Sequence, residues 1–186
     1  MTFGLDITLF NTALPAAAEV LRATPGQVQW FVGSYTLAIS ATLPVAGIVG
    51  DRGRARRALL AACSAFVLVN SAFVLVTDAT AFIVLRLAQG VASAFILTLS
   101  TALIARTFSG PRRTRALYIA ALMPTVGIPL GPLLGALVAE TMGALSVFLV
   151  NVPFVIAAMA GKSAGVTARI RGAGWAASGV VSVMRR

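Results

Sequence analysis

Apolar runs of about 18 to 25 residues recur along the whole chain, and this repetition restricts the fold more than any other feature. At about 1.5 Å per residue, each run has the length an α-helix needs to cross a bilayer. The runs are continuous and rich in Ala, Leu, Val and Gly. A β-barrel would instead read as alternating segments of about 10 residues. Composition points the same way, since 59% of the 186 residues are hydrophobic, 11% are charged and the mean hydropathy is +0.94. That balance excludes an ordinary soluble domain. The predicted class is an all-α integral membrane protein.

Six spans are predicted, over about 2–20, 28–50, 58–76, 80–105, 117–140 and 144–160. Residues 1–160 then form one six-helix transmembrane unit, and residues 161–186 a basic cytoplasmic tail that is atypical or disordered. Thr24-Pro25-Gly26 reads as a turn and Ser109-Gly110-Pro111 as a breaker, so the links are short and neighbouring spans antiparallel.

Arginine sets the expected orientation. DRGRARR, from Asp51 to Arg57, carries four arginines, and RTFSGPRRTR, from Arg106 to Arg115, carries four more. These loops are placed on the cytoplasmic side of the plasma membrane, with the amino terminus and the tail. The alternate loops hold Glu19 with Arg22, then Asp78, then Glu140, and are placed outside. The net charge of +10 is thereby explained by topology and contact with anionic membrane lipids, with no segment suited to nucleic acid. Histidine is absent, Cys63 is the single cysteine, and no nucleophile–base pair or phosphate loop is present. The sequence therefore points away from an enzyme, a metal site or a cofactor.

Polar residues inside the spans carry the functional signal, because they are unfavourable in lipid and face a bundle interior or a cavity. In FIVLRLAQGVASAF, Arg86 is followed by Gln89, Gly90 and Ser93 at helical spacing, giving one polar, small-residue stripe. Asp6, in LDITLF, is the opposite charge available to Arg86. Residue type alone leaves simpler readings open, a snorkelling arginine and a helix-end acid. Thr8, Asn11 and Pro15 form a second polar face on the first span, roughly opposite Asp6. Thr8, Asn11, Gln89 and Ser93 are therefore cavity-lining candidates. In the fifth span Gly127, Gly131 and Gly135 recur every four residues, a track that lets another helix approach closely. Pro124, Pro129 and Pro132 remove backbone donors there, as in a bent gate helix, although helix packing alone also accounts for the glycines.

Taken in order, LDITLFNTALP, VQWFVGSYTLA, GIVGDRGRARR, LRLAQGVASA, VGIPLGPLLGALV and VFLVNVP resemble the first six spans of the major facilitator superfamily. Within it they are most similar to the fourteen-span drug:proton antiporters, whose first helix reads LDxTxxNxALP. The resemblance implies one half of a major-facilitator fold, truncated at both ends. It also implies export of small lipophilic or cationic drugs, driven by a proton gradient without a cofactor. Asp6 and Arg86 take the proton-coupling role by this resemblance. Gly47, Asp51, Arg52, Arg56 and Arg57 match a cytoplasmic gating motif, in which Arg54 and Ala55 replace the usual Gly and Arg. Gly127, Gly131, Pro132 and Gly135 match the antiporter motif of the fifth helix, and Asn151-Val152-Pro153 the start of the sixth. The implied partners are a drug-like substrate, protons, membrane lipids and a missing carboxy-terminal half. A non-transporting fragment, or a half that requires a partner half, is the alternative.

Overall fold

A computed structural model describes residues 2–51, 55–157 and 159, and these form helices joined by short links, with no strand among them. The tail expected at 161–186 and Arg52 of the gating motif lie outside the described residues. The long helices are α1 (Thr2–Val20), α2 (Pro25–Asp51), α3 (Ala55–Ala72), α4 (Ala79–Thr107) and α5 (Gly110–Met142). A 3-10 segment, Ala144–Val150, then runs into α6 at residues 151–157.

Local chemistry fixes most boundaries. Arg22 takes a positive φ of 48°, which lets the Ala23 amide donate back to the Ala18 carbonyl at 2.9 Å and closes α1. The Thr24 amide donates to Gln27 Oε1 at 2.9 Å and the Gln27 amide to Thr24 Oγ1 at 3.4 Å, a reciprocal cap ahead of Pro25. The stretch expected as a turn is thus the start of α2, because proline tolerates the first helical position. For the same reason α5 starts at Gly110, ahead of the predicted 117, with Pro111 inside its first turn. Asp78 caps α4 by accepting from the Thr80 and Ala81 amides at 2.9 and 3.0 Å.

Pro25–Asp51, Ala55–Leu75 and Ala79–Thr107 are each long and apolar enough to cross a membrane, while Gly131–Met142 and Ala144–Ala157 are shorter apolar helices. The helical membrane class follows, with three of the six expected spans reaching that length and apolarity among the described residues.

Two close helix contacts organise the bundle. α2 meets α4 at Gly90, where a Cβ would lie 2.6 Å from the Tyr35 carbonyl oxygen. α1 meets α5 at Gly131 and Gly135, against Thr8 and Leu9. At one end an aromatic cluster joins five elements, Phe10 of α1, Phe31 of α2, Phe73 of the 3-10 turn Phe73–Leu75, Phe82 of α4 and Phe148, with Phe73 stacked on Phe148 at 3.9 Å and Phe31 tilted on Phe82 at 4.4 Å between ring centroids. The 3-10 winding at Ala144–Val150 replaces the regular helix predicted from 144. It delivers Val147 to Leu9 and Ala13 while Phe148 enters the aromatic cluster.

Candidate functional site

A buried polar network lies where α1, α2, α3, α4 and α6 converge. Asp6 is 1% exposed and Arg86 2%, so both charges are out of contact with the surface. Arg86 Nη1 lies 3.6 Å from Asp6 Oδ2. Burial of either charge alone would be strongly unfavourable, and the pair is tolerated because each has further partners. Arg86 donates from Nε to the Phe31 carbonyl of α2 at 3.1 Å and from Nη1 to Gln89 Oε1 at 2.9 Å. Its guanidinium carbon sits 3.4 Å from the centroid of the Phe10 ring, a close cation–π contact.

Gln89 is the hub of the network. Arginine only donates, so Gln89 must turn its oxygen to Arg86 and its amide nitrogen the other way. That nitrogen donates to Asp6 Oδ1 at 2.8 Å and to Asn70 Oδ1 at 3.2 Å. Asn70 is held in turn by its amide donating to the Phe66 carbonyl at 2.7 Å. From α6, Asn151 donates to the same Asp6 Oδ1 at 2.8 Å. Asp6 Oδ1 therefore accepts two amide donors, whereas Oδ2 has no amide donor and faces the arginine, with the Tyr35 hydroxyl also interacting with the acid. Tyr35 borders the pair as well, donating to Ser93 Oγ at 3.3 Å.

A cavity of about 210 Å³ opens beside the pair. Asp6, Ile7, Phe10 and Asn11 of α1 form one wall, Val32, Tyr35, Thr36 and Ile39 of α2 the other, and Arg86 reaches it from α4. Its lining is mainly apolar with a few convergent polar groups, the usual character of a small-molecule site.

Of the four residues expected to line a cavity, Asn11 does so. Thr8 lies against Gly131 at the α1–α5 contact, Gln89 stands behind the cavity wall in the network, and Ser93 is the acceptor for Tyr35. Thr8 and Asn11 thus serve different surfaces of α1 and do not share one polar face. Within the gating motif, Gly47 lies near the end of α2, and Arg56 and Arg57 are exposed on α3. Asp51 pairs with Arg106 of α4 at 3.6 Å, an exposed bridge linking the ends of α2 and α4. Pro132 is exposed on α5, and Gly127 falls in the same helix. Sequence reasoning missed Tyr35, Asn70 and the inward role of Asn151. A lone tyrosine and asparagine on otherwise apolar helices were the available signal.

The Major Facilitator Superfamily model matches residues 1–171. The chain belongs to the major facilitator superfamily. Similar proteins include the drug efflux pump JefA of Mycobacterium tuberculosis, 36% identical over 150 residues, or 80% of this chain and 30% of that protein. The cephamycin export protein CmcT of Amycolatopsis lactamdurans is 36% identical over 152 residues, 81% of this chain and 31% of the relative. The tetracenomycin C resistance and export protein of Streptomyces glaucescens is 31% identical over 159 residues, 86% of this chain and 30% of the relative. The chain spans about a third of the length of the curated relatives it matches. Family membership and the long apolar helices make it a multi-pass membrane protein, related to transporters and not to enzymes.

Proposed function

We propose that this chain is the amino-terminal six-helix half of an exporter of drugs or other small lipophilic or cationic compounds, driven by proton antiport. The observation that carries the reading is the buried Asp6–Arg86 pair bordering an apolar cavity. A carboxylate in such a place binds a proton when desolvation dominates and releases it when the cation dominates. Alternating access gives the two sides of the membrane different weights of these effects. A cationic substrate in the cavity then competes with the proton for Asp6. The arginine-bearing loops face the cytoplasm in this reading, and anionic lipids surround them. No cofactor takes part.

The relatives, an efflux pump and two export proteins, support export as the direction of transport. Everted vesicles carrying this chain, offered a fluorescent lipophilic cation from outside with the lumen made acidic, test the reading, since efflux from the cell appears there as uptake into the lumen. Transport is expected to stop in Asp6→Asn, and efflux that still follows the pH gradient in that variant overturns proton coupling through Asp6. The second reading is a half that moves substrate only with a complementary half, favoured by the share of the relatives that the chain spans. Efflux that appears only when a second half is co-expressed selects it.

A further inference from the structure

The two oxygens of Asp6 have unlike surroundings, and the difference is imposed from outside the acid. Oδ1 accepts from Gln89 Nε2 and from Asn151 Nδ2, each at 2.8 Å. Oδ2 has no amide donor: Arg86 Nη1 lies 3.6 Å away, and the Tyr35 hydroxyl, which can turn either to donate or to accept, also interacts with the acid. The Gln89 donor cannot turn round, because its oxygen is held by Arg86 and its nitrogen also serves Asn70. The Asn151 donor comes from α6 and is independent of that chain of contacts. Its own Oδ1 is buried without a hydrogen bond, so the side chain's polar contact is its donation to Asp6.

We propose that Asp6 takes its proton on Oδ2, and that Asn151 is a positioning residue that, with Gln89, reserves Oδ1 as a hydrogen-bond acceptor. The inference rests on the proton-coupling reading and deepens it by naming the atom. A proton placed on Oδ1 would take up one of the two acceptor directions that the N–H donors use and forfeit at least one of those bonds. Placed on Oδ2, it leaves Oδ1 as the carbonyl oxygen with both donors still engaged. The proton arrives as hydronium through the cavity that Asp6 borders: one hydronium O–H bond breaks and leaves water, the O–H bond forms at Oδ2, and the carboxylate charge is neutralised. Arg86 keeps its charge and its place, because the Phe31 carbonyl, Gln89 Oε1 and the Phe10 ring hold it without the acid. The charged and titratable groups facing Asp6 are Arg86 of α4 and Tyr35 of α2. α3 and α6 bring the carboxamides of Asn70 and Asn151, and α5 packs on α1 through Gly131 and Gly135.

Difference infrared spectroscopy on the full chain in lipid nanodiscs, titrated with pH, tests the assignment. The Asp6 band is the carboxylic C=O stretch that vanishes in Asp6→Asn. Protonation on Oδ2 predicts a low-frequency band, since its carbonyl accepts two hydrogen bonds. In Asn151→Leu the band should move upward, and the midpoint of its titration should rise by about one pH unit, since one donor to the charged form is gone. Asn151→Gln should restore both toward the parent values. A band at the position of a free carbonyl in the unaltered chain overturns the proposal, and this outcome decides even if Asn151→Leu does not fold. An Asn151→Leu variant that folds with the band and midpoint unmoved also overturns it. Absence of any Asp6 band across the titration overturns the proton-coupling reading together with the atom assignment. The expected band in a chain that moves no substrate counts against the export reading alone.

Discussion

Arg86 illustrates how one side chain is satisfied several times over. It contacts a carboxylate, a carbonyl, a carboxamide and an aromatic face, whereas Asp6 leans on the arginine and two amides. This asymmetry predicts unequal losses of stability. Arg86→Met strands a buried carboxylate and should destabilise the chain by about 3–5 kcal/mol, and Asp6→Asn, which leaves the arginine three of its partners, should do less harm. Thermal unfolding in detergent, followed by exposure of the buried Cys63 thiol, orders the two variants. An Asp6→Asn variant that melts below Arg86→Met would reverse the argument. At the capping residue, Asp78→Ala removes the acceptor for two α4 amides and should lower stability by about 1 kcal/mol in the same assay. Asp6, Arg86 and Gln89 were legible in the sequence because each is costly in lipid, Arg86 and Gln89 share one helical stripe, and Asp6 is the opposite charge available to Arg86. Tyr35, Asn70 and Asn151 were not, since an isolated polar group on a helix does not reveal which neighbour will receive it. Thr8, a cavity-lining candidate by its polarity and spacing, lies against Gly131 of α5, a neighbour that spacing does not reveal.

Between helices, glycine matters where backbone meets backbone. Gly90→Val would drive a side chain into the Tyr35 carbonyl and Ala38, and Gly131→Val into Thr8 and the Leu9 amide. Both are expected to prevent recovery of a monodisperse protein on size-exclusion chromatography. Gly33, in α2 with nothing within 4 Å of a built Cβ, is the matched control. Gly33→Ala should be neutral or stabilising by about 0.5–1 kcal/mol through helix propensity. The glycine track of α5 was visible as a four-residue repeat, but its partner helix was not. α2 starts at Pro25 and α5 at Gly110, ahead of the expected 28 and 117, because proline serves as both breaker and first-turn residue, and at α2 it is the Thr24–Gln27 cap that distinguishes the two.

The whole molecule sorts its charges. Exposed Arg56, Arg57, Arg106, Arg112, Arg113 and Arg115 gather at the links from α2 to α3 and from α4 to α5, and Asp51 pairs with Arg106 there. The proposed orientation predicts that, in a Cys63→Ala background, Ser109→Cys reacts with an impermeant thiol reagent from the cytoplasmic side alone, and Thr77→Cys from the outside alone. The opposite labelling pattern would invert the topology. The membrane class was legible in the sequence, because apolar length is a property of single segments. The cavity was not, since its walls come from α1 and α2 facing each other across it, residues far apart in sequence.

That cavity divides its residues by obligation. Asp6 and Arg86 are bound into the buried network, while Val32, Thr36 and Ile39 contribute wall surface from α2. Under the proposed function, the pocket's shape and the energy-coupling chemistry are separable. Substitutions on that stretch of α2 can remould what fits without disturbing what drives it, so a lineage could change its cargo while keeping its engine.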